Sequence, residues 1–158
     1  MAEIINTILD KVKGIEGIYN QLVFLTGPAG SGKTSLLRKA AKKLSAPIVN
    51  INLELSRLML DLTGKQRALQ ASRLFETIID DADSNIVLLD NIEILFAKDL
   101  QLDPLRLLKQ SSRNKTLVVS WPGHCQEGYL IYAEQGHNEY RRYKLDYEAV
   151  INLNHFQE

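Results

Sequence analysis

Gly27-Pro28-Ala29-Gly30-Ser31-Gly32-Lys33-Thr34 is the segment that most restricts what this chain can become. It fits the spacing G-x-x-x-x-G-K-[ST] in full, and its flanks fit as well. Ahead of it runs the apolar stretch 21–26, which reads as a buried strand. Behind it, residues 33–44 carry a helical pattern, with Leu36, Leu37, Ala40, Ala41 and Leu44 inward and Arg38, Lys39, Lys42 and Lys43 outward. A strand, a glycine-rich turn and a helix in that order wrap successive backbone N–H groups around a phosphate, because glycine lets the main chain curl without a Cβ in the way. The helix start adds its partial positive charge. In this frame Gly27 to Thr34 form the cradle. Lys33 reaches the β- and γ-phosphates, the Thr34 hydroxyl ligates Mg²⁺, and Ser35 extends toward the α-phosphate. The expected ligand is a nucleoside triphosphate, ATP, with Mg²⁺.

Such a turn needs a sheet beneath it, and the remaining pattern supplies one. Ile4, Ile5, Ile8, Leu9 and Val12 put one apolar face on a helix over 3–13, which Gly14 and Gly17 break. Residues 47–53 read as a second strand. Residues 64–80 read as a helix whose apolar side is Leu69, Leu74, Ile78 and Ile79. The run 85–90 is almost wholly apolar, as a strand covered on both faces must be. Asp103 can N-cap a helix with Pro104 at its first position, running to about residue 112. Residues 116–120 make a further buried strand, ended by Trp121-Pro122-Gly123. Two β-prone runs, 129–134 and 139–145, flank Gln135-Gly136-His137-Asn138 and suggest a hairpin. Alternation of strands and helices predicts a three-layer α/β fold with a mostly parallel five-stranded core sheet and a C-terminal β-hairpin. The 158 residues suit one domain: an N-terminal helix and linker over 1–17, a nucleotide-binding core over 18–125, and a hairpin and tail over 126–158.

A triphosphate site also needs a carboxylate behind the metal and a group to polarise the attacking water. Asp90 ends the strand 85–90, where such a carboxylate must project. Asn91 follows it, and Glu93 is either the catalytic base or a solvated loop carboxylate. Asp80, Asp81 and Asp83 precede that strand and so stand at the wrong end of a parallel sheet for a ligand. Ser120 ends the next strand. It is a candidate to sense the γ-phosphate or hold water if its strand neighbours that of Asp90, and otherwise caps a turn. Trp121 is expected in the core, while His124, His137 and His155 stand at no metal spacing.

Charge and cysteine content exclude other classes. Lys plus Arg and Asp plus Glu balance at 19 each, so no net field drives unselective binding to nucleic acid or membrane. The single Cys125 excludes an internal disulfide framework and a cysteine-based zinc site. No apolar run approaches ~20 residues and no basic leader precedes one, so the expectation is a cytoplasmic protein without a membrane partner.

The stretch Leu89-Asp90-Asn91-Ile92-Glu93-Ile94-Leu95 resembles the Walker B region of AAA+ ATPases, nearest to the DnaA-like and origin-recognition branch, and Ser120 matches sensor 1 in position. Taken whole, the chain resembles the BrxF family, the small P-loop proteins of type III bacteriophage-exclusion (BREX) systems. The phosphate loop, the Leu88–Glu93 stretch and Val118-Val119-Ser120-Trp121-Pro122-Gly123 carry that resemblance. It implies an ATP-binding, ATP-hydrolysing subunit that acts as a DNA-associated switch in anti-phage defence, assembling with itself and with other BREX proteins. Asn91 stands where many active AAA+ members have a catalytic glutamate, which puts hydrolysis by an isolated subunit in doubt. The chain leaves no room for a helical lid after the hairpin. Arg113, with Arg106, Arg141 and Arg142 as alternatives, is the candidate finger acting on a neighbour's nucleotide. Two other classes compete: a small-molecule or nucleotide kinase, and an ATP-binding scaffold that never hydrolyses. The basic face of Arg38, Lys39, Lys42 and Lys43 is either solvated or a phosphate-contacting stripe.

Overall fold

The computed structural model describes residues 2–28, 30–133, 140–145 and 149–153. Ala29, the loop 135–138 with His137, and His155 lie outside them. In chain order the elements are α1 (Ala2–Gly14), β1 (Leu22–Thr26), α2 (Lys33–Leu44), β2 (Ile48–Asn50), α3 (Ile51–Leu58), α4 (Gly64–Asp81), β3 (Ile86–Asp90), α5 (Pro104–Ser111), β4 (Thr116–Ser120), β5 (Gly123–Gln126), β6 (Tyr129–Tyr132), β7 (Arg141–Lys144) and β8 (Ala149–Asn152). Two short 3₁₀ turns, Glu93–Phe96 and Lys98–Leu100, bridge β3 to α5.

Strands β2, β3, β4, β1 and β8 lie side by side in that order, each parallel to its neighbours. The phosphate-loop strand β1 is thus separated from the Asp90 strand β3 by β4. Period-two alternation splits the strand side chains between two cores. Leu22, Phe24, Val87, Leu89, Leu117 and Val119 face α3, α4 and α5. Val23, Leu25, Leu88 and Val118 face α1 and α2, where Ile8 and Leu37 are fully buried. With both faces covered, β1 and β4 are buried along their whole length, which is why they read as unbroken apolar runs. β5, β6 and β7 form a second, antiparallel sheet. The β6–β7 pair is the expected hairpin, shortened to Tyr129–Tyr132 against Arg141–Lys144.

Two local readings of the sequence are corrected. The strand expected over 47–53 stops at Asn50, whose side chain accepts the Leu53 N–H at 3.1 Å and turns the chain at once into α3. Leu69, expected on the apolar side of α4, is 74% exposed, while Ile78 and Ile79 are buried there as expected and are joined by Ala71 and Phe75. Trp121-Pro122-Gly123 ends β4 at Ser120 as expected, and Gly123 at once opens β5. A Cβ on Gly123 would lie 1.9 Å from the Ile131 carbonyl oxygen, so only glycine lets β5 approach β6 there. The fifth core strand, β8, comes from residues left as tail in the sequence. The Asp103 cap holds as expected, accepting the Arg106 N–H at 3.2 Å with Pro104 at the first helical position.

Candidate functional site

Parallel strands point their C-terminal ends to one edge, and the chain residues that follow those ends form the crevice there. Leu89 lies opposite Val119 and Leu25 opposite Ser120, which sets Asp90, Ser120 and the turn after Thr26 side by side. A cavity of about 530 Å³ opens at this edge. It brings together Gly27, Lys33, Thr34, Asp90, Glu93 and Ser120, with Asn91 and Pro28 also at its wall. Gly32 caps α2 in the left-handed region (φ 90°), a conformation that would strain any side chain. That turn aims the first N–H groups of α2 along the loop. Gly30, Ser31 and Ser35 stand on the loop and first helical turn without lining the cavity.

Two contacts define the site's chemistry. Thr34 Oγ1 donates to Asp90 Oδ2 at 2.9 Å. The hydroxyl at the start of α2 and the carboxylate at the end of β3 therefore converge on one point, across 56 residues of sequence. Asp90 Oδ1 accepts the Asn91 N–H at 3.0 Å, which fixes the carboxylate's plane. Meanwhile Lys33 Nζ donates to the carbonyls of Gly27 at 2.7 Å and Trp121 at 2.9 Å. Burial pushes the Lys33 ammonium below its ordinary pKa, and the carboxylates of Glu93 and Asp90 oppose that shift. A half-buried cation held only by carbonyl oxygens and nearby carboxylates is matched to an incoming polyanion. Thr34 and Asp90 supply hard oxygen donors suited to Mg²⁺, an ion that usually takes one or two protein ligands and completes its shell with phosphates and water. Among the described residues no group of three or more His, Cys, Asp or Glu gathers as a self-contained metal cage.

The loop after β3 is held from α3. Asn91 adopts φ 51°, and its carbonyl accepts the Asn52 N–H at 2.8 Å. Asn52 Oδ1 accepts the Ile94 N–H at 2.8 Å, which positions the turn that presents Glu93. Nothing in the sequence singled out Asn52. His124 is a second residue missed there. It lines the cavity from β5, together with Pro122 and Gly123. Its signal was available, since it follows closely on a strand end at the ligand-binding edge. Arg113 is not in this cavity. It precedes β4, near the opposite end of the sheet, where its guanidinium lies 4.9 Å from the centre of the Tyr19 ring. Arg141 donates to the carbonyls of Leu102 and Phe96, tying β7 to the loop before α5. Burial raises the Cys125 thiol's pKa, which disfavours the reactive thiolate.

The sequence profile of the ATPase family associated with various cellular activities (AAA) matches residues 23–119, from β1 to the penultimate residue of β4. The chain belongs to the AAA family. Nucleotide binding and hydrolysis are that family's chemistry, usually with Mg²⁺. No curated protein matches the chain. Two solved structures are similar to this AAA chain. One is a DNA replication initiation factor (19% identity, TM-score 0.43, covering 73% of this chain and 36% of that one). The other is PCH-2 of C. elegans (18% identity, TM-score 0.43, covering 96% of this chain and 41% of that one). The AAA chain thus spans well under half the length of either. No helix among its described residues is long and apolar enough to cross a membrane.

Proposed function

We propose that this AAA chain binds ATP with Mg²⁺ at the cavity beneath α2 and works as a nucleotide-driven switch in the cytoplasm. The observation that carries the reading is the Thr34–Asp90 hydrogen bond beside Lys33, three groups of the required chemistry in one cavity. Backbone N–H groups of the Gly27–Thr34 loop, Pro28 apart, cradle the phosphates, and Lys33, oriented by the Trp121 carbonyl, turns its remaining N–H donors to the β- and γ-oxygens. Thr34 and Asp90 hold the ion, which neutralises phosphate charge when bound. Glu93 orients or deprotonates the attacking water, with Asn91 and Ser120 as polar neighbours of the γ-phosphate. Arg113 stands away from its own subunit's cavity and acts on that of a neighbour in a homo-oligomer. The resemblance to the BrxF family supports placing the switch in BREX anti-phage defence, on DNA and with other BREX proteins.

A second reading, a scaffold that binds ATP without turnover, is favoured by one observation. Asn91, not a carboxylate, follows Asp90, and its backbone is pinned to Asn52. ATP binding and turnover of the parent and Lys33→Ala, with and without DNA, test both. The switch requires measurable turnover that DNA changes. Binding without turnover in every condition selects the scaffold. Undiminished ATP affinity in Lys33→Ala overturns the site.

A further inference from the structure

The face that carries Arg113 holds a second cavity, of about 550 Å³. Three separate segments build it: the linker before β1, α5 with the turn after it, and β7. They bring Arg106, Lys109, Arg113, Arg142 and Lys144 together against one carboxylate, Asp103. Asp103 already accepts the Arg106 N–H as the cap of α5, so part of its charge is engaged at a helix terminus. A chain of zero net charge thus concentrates five cations in one depression. The floor is fixed: Asn20 Nδ2 donates to the Lys109 carbonyl at 2.8 Å, and the Gln21 N–H to the Ser112 carbonyl at 2.9 Å.

We infer that this cavity binds the phosphodiester backbone of a nucleic acid, which extends the DNA-associated reading above by naming its surface. Four of the five cationic side chains are exposed, which suits a ligand that runs across the surface better than a small anion that must be enclosed. Two tyrosine rings already carry guanidinium groups: Arg113 over Tyr19, and Arg142 over Tyr129 at 3.8 Å. Tyr19 is 70% exposed and leaves ring surface free for a base to stack upon. Cations interleaved with aromatic faces are the combination that single strands use.

The test is fluorescence anisotropy with a labelled 20-nucleotide single-stranded DNA across a salt series, on the parent and on Lys109→Glu/Lys144→Glu. Arg106, Arg113 and Arg142 stay intact so that a finger acting on a neighbour is not disturbed. Each phosphate contact contributes about −0.7 to the slope of log K against log salt on a single strand. The double variant should bind at least about tenfold more weakly with a slope shallower by about 1–2, while its ATP affinity stays at the parent value. A parent that turns over ATP yet binds no DNA overturns the cavity assignment and leaves the ATP site standing. So does DNA binding that is unchanged in this variant but lost in Lys39→Glu/Lys43→Glu. A double variant that loses self-association in sedimentation and keeps its DNA affinity makes the face a protein contact, and overturns the inference too.

Discussion

Replacing Trp121 tests how the two sheets hold the nucleotide cavity. Trp121 is fully buried immediately after β4. Its ring meets Phe24, Phe96 and Tyr143 edge-on at centroid distances of 5.5, 5.3 and 6.0 Å. The indole N–H donates to the Ile131 carbonyl of β6 at 3.0 Å, and the Trp121 carbonyl accepts from Lys33. Truncating a buried tryptophan to alanine costs about 3–5 kcal/mol, and the lost hydrogen bond adds about 1 kcal/mol. Trp121→Ala should therefore lower stability by about 4–6 kcal/mol, a large share of the ~5–15 kcal/mol that such domains possess. With a urea slope of about 2 kcal/mol/M, the midpoint should fall by roughly 2–3 M. Trp121→Phe keeps a ring but loses the donor to β6, which loosens the carbonyl that registers Lys33. A shift of about 1 kcal/mol there weakens ATP about fivefold. Phe75→Leu, in the same core but on α4 away from the cavity, should lower the urea midpoint and leave ATP affinity unchanged. Urea melts followed by circular dichroism, with calorimetric ATP titrations in native buffer, read both quantities. An alanine variant within about 1 kcal/mol of the parent refutes the packing argument. A phenylalanine variant that binds ATP as the parent does refutes the coupling to Lys33.

Asp90→Ala should retain most metal-free nucleotide affinity and lose its Mg²⁺ dependence, because the carboxylate acts through the ion; an unchanged Mg²⁺ titration removes the assignment. Glu93→Gln should slow single-turnover hydrolysis without weakening ATP binding, and equal rates would move the role to Asn91 or to another subunit. Specific activity should rise with protein concentration, and mixing Lys33→Ala with Arg113→Ala subunits should restore part of it. A trans arginine contributes about 10³–10⁵ in rate in related chemistry, so the signal is large. Rates strictly linear in protein, with a monomer by light scattering, would exclude that arrangement.

What was legible in the sequence was whatever local chemistry dictates. The glycines and Lys33 specify the loop whatever lies around them, and the apolar runs of β1, β3 and β4 announce strands covered on both faces. Asp90 was placed by its position at a strand end. The misread segments are those where one side chain or one distant partner decides. Ile48, Val49, Ile51 and Leu53 suit a strand until Asn50 captures the Leu53 N–H. Leu69 fits the helical period of α4, but the inward arc is set by Ala71 and Phe75 packing beneath. β8 is a short apolar run whose identity rests on a partner strand far away in the chain, and no local pattern encodes that. His124 and Asn52 act through positions that only the assembled edge of the sheet creates.

That last strand has a consequence for the chain's synthesis. Val23 pairs with Ala149 and Thr26 with Asn152, and Gly27 packs so closely on Leu153 that a Cβ on it would lie 3.0 Å from the Leu153 Cβ. The phosphate loop is made early, yet the edge of β1 stays uncovered until residues 149–153 leave the ribosome. At ~5–20 residues per second this interval lasts roughly 6–24 s. Throughout it the nascent chain presents one unpaired edge of this apolar strand, a template for wrong pairing. Closing so long a loop is also among the slower events of folding. Gly27, the first residue of the phosphate loop, gains its Leu153 contact only as translation reaches the end of β8.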